Sequence, residues 1–331
     1  MKKILIVGFG SIGKRHLRNI LSIKDIDIII CSKRNDLKKI KRENINIVKS
    51  IDEALNYKPT IGFVTNETSN HIQTSVRLVK NGLDVFIEKP ISGTLVGINT
   101  LKKIARKKGI VSMVGCDHRF HPCLQKIKNM IDQEQLGRIF SVQVESSSLL
   151  SDWHPYEDYS KGYAARKDLG GGVATTMIHE LDFLRWFFGD VKEIFSITKN
   201  ISNLKITADD FSSMSMIFNN GVVGELHLDY FARPEFKSCK IRTEKGTIYW
   251  NSDFNEVRIF YNSSRKWKTI FKAKNFERNH MFVKELEYFL KCVKNREKTF
   301  NDIIQGEKTL QVVLNAKRSS QVKKMLRNKK Y

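Results

Sequence analysis

Near its start the chain reads Lys3-Ile4-Leu5-Ile6-Val7-Gly8-Phe9-Gly10-Ser11-Ile12-Gly13. Four consecutive apolar residues predict a buried strand, and three glycines spaced G-x-G-x-x-G follow it at once. In such a motif the first glycine makes a tight turn, the second lets a pyrophosphate approach the backbone, and the third allows the next helix to pack closely. The N–H groups that open this helix then face the anion. The stretch therefore predicts that residues 8–13 bind a dinucleotide.

The rest of the first half alternates β-rich runs with helical patterns, which is typical of a parallel sheet with helices on both faces. The strand candidates are nearly continuous apolar runs, as expected for strands that are covered on both sides. The predicted strands are 3–7, 26–31, 60–65, 84–87 and 110–115, and the predicted helices are 12–21, 36–43, 71–80 and 95–107. We therefore expect residues 1–120 to form an α/β Rossmann domain.

The residues after the second strand bear on the choice of dinucleotide. NAD-binding versions of this fold carry an Asp or Glu about 20 residues beyond the glycines, on the ribose 2′-hydroxyl. Here the corresponding residues are Ser32, Lys33 and Arg34. A carboxylate would repel a 2′-phosphate, whereas a hydroxyl and a guanidinium can hold one. The sequence favours NADP as the cofactor, and NAD is the alternative because a charged loop is ordinary in a lysine-rich chain.

From about residue 139 the pattern changes to the alternation of half-buried antiparallel strands, at 139–144 and 211–218, with turn signals at 219–221 and 244–246. Residues 121–331 are predicted to form an α+β domain with a large, mostly antiparallel open sheet, which binds substrate and oligomerises. Helices are expected at 282–294 and 302–326, the last packing back on the first domain. Met214, Met216 and Phe218 alternate onto one side of their strand, which predicts a homodimer or homotetramer joined sheet to sheet.

A loop at residues 151–166 is rich in Trp, Tyr, Asp and Arg, the side chains that stack on and hydrogen-bond a polyhydroxylated ring. Trp153, Tyr163 and Arg166 are the predicted substrate contacts, and Arg166 would also suit a phosphate, a carboxylate or a nucleotide on a sugar. The alternative interpretation is an ordered connector whose tyrosines serve packing.

Composition excludes several classes of protein. The net charge of +23 over 331 residues is spread along the chain, and no helix-turn-helix, zinc-finger or RNP signature accompanies it, so nucleic acid is not a predicted partner. The first apolar run is too short for a signal peptide, and no later run suits a membrane span, so the membrane is not a predicted partner either. Five cysteines without a Cys-x-x-Cys predict buried free thiols, no metal site and a cytoplasmic protein.

Several motifs in order resemble the glucose–fructose oxidoreductase, inositol dehydrogenase and rhizopine-catabolism (Gfo/Idh/MocA) family, and the likeness covers nearly the whole chain. The motifs that carry it are the glycines of 8–13, Asn66 to His71, Glu88-Lys89-Pro90, His118-Arg119-Phe120-His121-Pro122, Gly170-Gly171-Gly172 through His179-Glu180-Leu181-Asp182, and His227-Leu228-Asp229-Tyr230-Phe231. The resemblance implies that Asn66, His71, Glu88 and Lys89 contact the cofactor, and that Lys89, His118, Arg119, Thr176 and His179 contact the substrate.

The resemblance also implies that Lys89 and His179 are catalytic. A lysine at the carboxyl end of a parallel strand lies where such sheets bind ligands, and its ammonium can stabilise charge on a reacting oxygen. Glu88 is expected to orient that ammonium. Imidazole titrates near neutrality, so His179 can take a hydroxyl proton. Many family members carry an Asp one helical turn earlier, but Thr176 stands there, so no carboxylate is available at that place to polarise His179 and no triad is predicted.

These observations predict a cytoplasmic NAD(P)-dependent oxidoreductase that acts on a hydroxyl or ketone carbon of a sugar or sugar derivative. The substrate is expected to be phosphorylated or linked to a nucleotide if the basic residues of the loop bind it, as in surface-glycan pathways of amino sugars. The alternative is a regulatory protein of the same fold that senses the cofactor or a sugar without turnover, and the missing Asp motivates it.

Overall fold

The computed structural model describes residues 2–34, 37, 42–155 and 157–328. The chain divides into two compact units, the first formed by Met1–Cys116 with Phe282–Glu307 and the second by Asp117–Met281 with Lys308–Tyr331. The predicted division at residue 120 thus differs from the observed one, because residues 282–307 return to the first unit. They do so because the Phe289 ring packs 5.9 Å from Phe63 and 5.6 Å from Phe86, on the apolar face of the first sheet.

The first unit is a parallel six-stranded sheet in the order β3-β2-β1-β4-β5-β6, with helices in the connections, as predicted. Every residue of β4 and β5 is buried, which explains their apolar sequences. The elements are β1 (Lys2–Val7), α1 (Ser11–Ile20), β2 (Ile26–Cys31), β3 (Ile45–Val48), α2 (Ile51–Asn56), β4 (Ile61–Val64), α3 (His71–Lys80), β5 (Asp84–Ile87), α4 (Ile98–Lys107) and β6 (Ser112–Val114).

Two elements of this unit, β3 and α2, were not predicted. The strand β3 has four residues, too few for a clear pattern. The helix α2 begins after Ser50, whose hydroxyl accepts from the Glu53 N–H at 3.2 Å, and Glu53 accepts in turn from the Lys49 N–H at 3.0 Å. This Ser-x-x-Glu capping box is a sequence signal that could have revealed the helix. The predicted helix 36–43 falls largely on residues outside the described ranges.

The second unit is built on a nine-stranded sheet in the order β14-β13-β12-β11-β7-β10-β9-β8-β15, in which β7 and β10 are parallel and the other pairs antiparallel. The remaining elements are α5 (Pro122–Asp132), β7 (Ile139–Ser147), α6 (Val173–Thr176), α7 (His179–Phe188), β8 (Val191–Lys199), β9 (Phe211–Phe218), β10 (Val223–Asp229), β11 (Phe236–Thr243), β12 (Gly246–Asn251), β13 (Glu256–Tyr261), β14 (Lys266–Lys272), α8 (Arg278–Asn295), α9 (Ile303–Val322) and β15 (Leu326–Arg327). Two boundaries between the units fall inside helices, one in α8 after Met281 and one in α9 after Glu307.

One face of this second sheet is covered within the unit, and the other carries polar side chains. Met214, Met216 and Phe218 of β9 lie in the core at 0–1% exposure. Their alternation therefore marks the covered face, and the prediction that used them for a subunit contact is corrected. The opposite face presents groups such as Gln143, Glu225 and Arg242, which hydrogen-bond across the strands.

Among the described residues, no helix is both long and apolar enough to cross a membrane. The same residues contain no group of three or more His, Cys, Asp or Glu arranged to hold a metal ion. The five cysteines, Cys31, Cys116, Cys123, Cys239 and Cys292, are buried free thiols.

Candidate functional site

The glycine turn between β1 and α1 is shaped by two positions where a side chain would collide. Gly8 has φ +96°, and a Cβ there would lie 2.4 Å from the backbone nitrogen of Asn66. A Cβ on Gly13 would lie 2.6 Å from the carbonyl oxygen of Gly8. Gly10 differs, because nothing lies within 4 Å of the position its Cβ would take. The turn is therefore tight on the protein side and open on the outer side, where a ligand can approach the backbone.

The helix α1 opens at this turn. Its first backbone bond runs from the Lys14 N–H to the Gly10 carbonyl at 3.0 Å, so the N–H groups of Ser11, Ile12 and Gly13 precede any acceptor within the helix. The N-terminus of a helix with ten residues also carries partial positive charge. Phe9 is buried and fixes the turn against the unit. These residues fit the pyrophosphate of a dinucleotide.

The residues predicted to select the dinucleotide follow β2. Ser32 donates its backbone N–H to the Val48 carbonyl at 3.0 Å, and its hydroxyl accepts from the Arg34 N–H at 3.3 Å. Lys33 and Arg34 are exposed. No acidic residue occupies positions 32–34, where the sheet ends beside the glycine turn. The arrangement offers a hydroxyl and two cations to an anionic group.

The Glu88 carboxylate contacts both α1 and the backbone of Lys89. Its Oε1 lies 2.7 Å from His16 Nε2, on α1, and its Oε2 accepts the backbone N–H of Lys89 at 3.2 Å. Burial alone would raise the pKa of Glu88, but the hydrogen bond to His16 and the nearby charges outweigh it, so that the pKa is lowered. The Glu88 carboxylate therefore joins β5 to α1, and the charge of Lys89 also acts on it; that Glu88 orients the Lys89 ammonium stays a prediction. Lys89 follows β5, with its side chain half-buried.

Asn66 and His71 hold the loops after β4 and β5 together. Asn66 donates its side-chain amide to Thr74 Oγ1 at 2.9 Å. His71 Nδ1 lies 2.8 Å from the Pro90 carbonyl oxygen, and its Nε2 lies 3.0 Å from the Asn66 carbonyl oxygen. Burial lowers the pKa of His71, although the two carbonyl contacts act in the opposite direction. With a ring that is 1% exposed, His71 shapes these loops.

In the second unit, His179 lies beside a carboxylate that the sequence did not reveal. Its Nδ1 is 3.2 Å from Oδ1 of Asp117, which is 2% exposed. The His179 side chain is 13% exposed. Asp117 comes from the 3-10 turn Asp117–Phe120 before α5, whereas His179 is the first residue of α7. The sequence lacks a carboxylate one turn before His179, and a different element brings Asp117 to the ring instead.

His118 stacks on His179, with ring centroids 4.5 Å apart and planes at 28°. Burial, with the charges of Lys237 and His179, lowers the pKa of His118 well below its ordinary value. Its Nδ1 is 4.0 Å from Oε1 of Glu180, and Lys237 Nζ is 3.3 Å from the same oxygen. His118 is therefore a neutral ring at neutral pH, and it supports one face of His179.

Arg119 anchors this turn. Its guanidinium makes two hydrogen bonds to Asp182 on α7, at 2.6 Å from Nε and 2.9 Å from Nη2, and both residues are buried. A bidentate pair of this kind fixes orientation as well as distance. Arg119 was predicted to contact substrate, but the structure gives its guanidinium to Asp182.

Thr176 closes the short helix α6 and is 2% exposed. Its hydroxyl lies beside the phenol of Tyr230, whose pKa is raised well above its ordinary value by burial. The hydroxyl thus faces the end of β10. The glycines before α6 allow close packing there, since a Cβ on Gly171 would lie 2.0 Å from the Tyr163 carbonyl oxygen.

The predicted substrate loop, residues 151–166 apart from 156, forms a series of 3-10 turns. The Trp153 indole donates to Ser148 Oγ at 2.9 Å, and its ring meets Tyr230 edge-on at 5.4 Å. Tyr163 is 36% exposed. Arg166 is exposed and pairs with Asp168. Trp153 is therefore a partly buried anchor, while Tyr163 and Arg166 remain accessible to a ligand.

Sequence reasoning missed Asp117, Glu180 and Lys237 as members of the His179 cluster. Glu180 lies within a quoted motif and Asp117 directly precedes another, and an acid adjacent to a motif histidine is a signal that was present in the sequence. Lys237 carried no signal, because it is one lysine among many and only the strand β11 brings it to Glu180.

Comparisons with known proteins cover both units. Residues 2–116 match the model of an oxidoreductase family with an NAD-binding Rossmann fold, GFO_IDH_MocA, and residues 124–249 match the GFO/IDH/MocA C-terminal domain. The myo-inositol 2-dehydrogenase of Thermotoga maritima is 25% identical over 201 residues, 59% of this chain and 57% of the relative. The first curated relatives are matched over 57% to 64% of their own length, so the chain spans about three fifths of them.

Solved structures extend the likeness to the whole chain. A levoglucosan dehydrogenase in complex with NADH is similar with a TM-score of 0.89 at 15% identity, covering 100% of both chains. The WlbA dehydrogenase from Bordetella pertussis, in complex with NADH and UDP-GlcNAcA, is similar with a TM-score of 0.83 at 18% identity, covering 100% of this chain and 98% of that one. At these identities the likeness establishes the fold.

Proposed function

This chain belongs to the GFO/IDH/MocA family of NAD(P)-dependent, sugar-type oxidoreductases, and from that premise we propose that it is a dehydrogenase or reductase of a sugar derivative. The reaction interconverts a hydroxyl carbon and a ketone. The observation that carries the proposal is the glycine turn, where Gly8 and Gly13 exclude any side chain and Gly10 opens toward solvent at a helix N-terminus. A turn with this shape suits a dinucleotide pyrophosphate.

Lys89 and His179 are the proposed catalytic residues. When bound, the nicotinamide supplies the acceptor or donor of the hydride. The Lys89 ammonium stabilises negative charge that develops on the reacting oxygen. During oxidation the substrate hydroxyl gives its proton to the His179 imidazole, and during reduction His179 returns that proton to the oxygen. Arg119, tied to Asp182, positions the turn beside α7.

The proposed cofactor is NADP, with NAD as the alternative. Support comes from Ser32, Lys33 and Arg34, which place a hydroxyl and two cations after β2 where NAD-binding domains carry an acid. A guanidinium pairs well with a 2′-phosphate, and no carboxylate at these three positions opposes it.

The proposed substrate is a phosphorylated or nucleotide-linked sugar, such as an amino sugar of a surface-glycan pathway. The accessible Tyr163 and Arg166 support it, because an aromatic ring and a guanidinium suit a sugar that carries an anionic group. The similar WlbA structure holds UDP-GlcNAcA, a nucleotide sugar of this chemical class.

The test is a panel of inositols, free sugars, sugar phosphates and nucleotide sugars, each incubated with the purified protein and NAD⁺ or NADP⁺. We expect the near-ultraviolet absorbance of reduced nicotinamide to rise with at least one sugar that carries a phosphate or nucleotide. Turnover of free inositol alone would refute the proposed substrate class, but it would still support the proposal that the protein is a dehydrogenase or reductase.

A sensor without turnover is the competing function. Its motivation was the absence of a carboxylate near His179, and Asp117 at 3.2 Å removes that motivation. Stopped-flow measurements that detect tight binding of a sugar and dinucleotide but no hydride transfer in either direction would favour the sensor.

The proposed assembly is a homodimer or homotetramer, joined through the polar face of the nine-stranded sheet. This face is supported by exposed Val223, which lies on the same side of β10 as Glu225, since a large apolar side chain favours burial against a second copy. Light scattering at micromolar concentration should give a multiple of the 38.4 kDa chain mass. A monomeric mass would contradict it.

A further inference from the structure

The 3-10 turn Asp117–Phe120 is fastened to one side of α7 at two points. Arg119 binds Asp182 through two hydrogen bonds, and Asp117 lies 3.2 Å from His179 Nδ1. His179 and Asp182 are three residues apart on α7, so they face the same direction. The turn and the helix therefore form one rigid pair in which Asp117 and His179 have little freedom to separate.

The charges in this pair are arranged so that Asp117 is matched by the imidazole. Of the three buried carboxylates in the cluster, Asp182 has the guanidinium of Arg119, and Glu180 has the ammonium of Lys237 at 3.3 Å. The ion-pair contact of Asp117 is with His179. A buried carboxylate is costly without a partner, so its position next to a ring that gains and loses a proton is informative.

We propose that Asp117 is the positioning carboxylate of His179. The negative charge of Asp117, 3.2 Å from Nδ1, favours the tautomer that carries the proton on Nδ1 and so leaves the lone pair of the neutral ring on Nε2, the atom that exchanges a proton with substrate. It also stabilises the imidazolium that forms when the proton arrives. This role rests on the proposed function of His179 and deepens it, since it states which ring nitrogen reacts and what keeps it ready.

The proposal explains how the chain works with Thr176 one turn before His179. The Thr176 hydroxyl lies beside Tyr230 and has no charge to offer the imidazole. The carboxylate comes instead from Asp117, in the turn before α5. Asp117 does not touch the reacting atoms in this role, so it acts through His179 alone.

Other charged groups around the ring define the background against which the effect is measured. His118 stacks on His179, and Glu180 follows it in α7. Lys237 on β11 pairs with Glu180, and the charge of Arg278 reaches His118. The two cations oppose protonation of His179, whereas Asp117 and Glu180 favour it. Removal of the Asp117 charge should therefore make protonation of His179 less favourable, because the two cations are then less opposed.

The direct test uses nuclear magnetic resonance on the full-length protein labelled with ¹⁵N-histidine, with His179 assigned by the signal that disappears in His179→Gln. In the unaltered protein we expect the neutral ring to carry its proton on Nδ1. A ring protonated mainly on Nε2 would overturn the proposal without any further variant. In Asp117→Asn, which keeps the shape but loses the charge, the pH midpoint of the His179 titration should fall by about one unit or more.

The matched control is Asp158→Asn, which removes an exposed carboxylate of the same unit and should leave the His179 midpoint unchanged. An unchanged midpoint in Asp117→Asn, with folding verified by circular dichroism, would overturn the positioning role. If Asp117→Asn does not fold, the protonated nitrogen in the unaltered protein decides.

Kinetics with a substrate identified from the panel separate this proposal from the proposed function. Asp117→Asn should lower kcat by about 10²-fold and move the acidic limb of the kcat profile to lower pH. If His179→Gln retains full kcat, the proposed function of His179 fails, whatever the ring titration shows. If His179→Gln loses kcat while Asp117→Asn keeps both kcat and the ring titration, only the positioning role fails.

Discussion

The glycine turn before α1 and the Asp117–Phe120 turn before α5 are both short connections, yet they are built by opposite means. The glycine turn offers backbone N–H groups and an open position at Gly10, and it contributes no charged side chain. The Asp117–Phe120 turn offers side chains, and all four of its residues are buried. The glycine turn should therefore be sensitive to an added side-chain atom, whereas the Asp117–Phe120 turn should be sensitive to the removal of a charge.

Removal of either proposed catalytic side chain should give the largest effect. His179→Ala and Lys89→Ala should each lower kcat by about 10²–10⁴-fold, because each takes away a group that acts on the reacting oxygen or its proton. Dinucleotide affinity should change far less than kcat, since neither residue belongs to the glycine turn that is proposed to bind the pyrophosphate. Steady-state kinetics and fluorescence titration of the dinucleotide measure the two quantities.

Two further variants sharpen this result. The double variant should lose less than the product of the two single effects if both residues serve one proton-transfer step. Thr176→Val, which removes only an uncharged hydroxyl beside Tyr230, should cost far less. If His179→Ala kept near-normal kcat while Thr176→Val abolished it, the base would have to be another group, such as Tyr163 or His154.

The addition of a Cβ to the glycine turn should have the next largest effect. The variants at Gly8 and Gly10 form a matched pair for this test. Gly8→Ala should lower the free energy of unfolding by about 2 kcal/mol or more, because the new Cβ meets Asn66 at 2.4 Å and φ is +96°. Gly10→Ala should leave the unfolding free energy nearly unchanged, but weaken dinucleotide binding by roughly tenfold, the size of one lost hydrogen bond to a charged group.

Denaturant unfolding and dinucleotide titration of both variants provide the measurement. Equal loss of stability in the two variants would show that Gly10 is not open in solution. Unimpaired dinucleotide binding by Gly10→Ala would show that the pyrophosphate does not approach this turn.

Buried neutral histidines predict a smaller, pH-dependent effect in the side-chain region. Burial lowers the pKa of His121 from 6.5 to about 4. Between these values the unfolded chain binds a proton that the folded protein does not, so stability is lost as pH falls from 6.5 to about 4. One such proton corresponds to a slope of about 1.4 kcal/mol per pH unit.

The variant His121→Asn should remove most of that slope while it keeps the cap of α5, since Asn, like the His121 Nδ1 that accepts from the Cys123 N–H, is able to cap a helix. Urea unfolding at several pH values measures the slope. His280→Asn, at a side chain that is 61% exposed, is the control and should leave it unchanged. A slope that His121→Asn does not alter would mean that His121 is protonated in the folded protein.

The smallest effect is expected from the side chains beside the glycine turn, Ser32 and Arg34. The protein should bind NADPH more tightly than NADH. Ser32→Asp should reverse this preference, because a carboxylate repels the 2′-phosphate, and the ratio of the two dissociation constants should change by about tenfold. Arg34→Ala should weaken NADPH binding and spare NADH. Titrations in which NADH binds the unaltered protein as tightly as NADPH would contradict the preference.

The sequence by itself determined the elements that local patterns encode. Continuous apolar runs and the glycine spacing located β1 and the turn before α1, and the predicted bounds of α3 and β5 agree with the structure. These signals are local because burial on both sheet faces and backbone collisions depend on a few adjacent residues. The same locality gave the motif positions of Lys89 and His179, whose catalytic roles stay predictions.

The tertiary structure decided which face each residue meets and which charges become partners. The pattern of β9 shows that Met214 and Met216 share a face, but only the packed helices reveal that this face is the covered one. Glu88 is adjacent to Lys89 in sequence and yet binds His16 on α1. Asp117 reaches His179 because Arg119 fastens its turn to α7. Ion pairing depends on distance in space, and a one-dimensional pattern contains no measure of that distance.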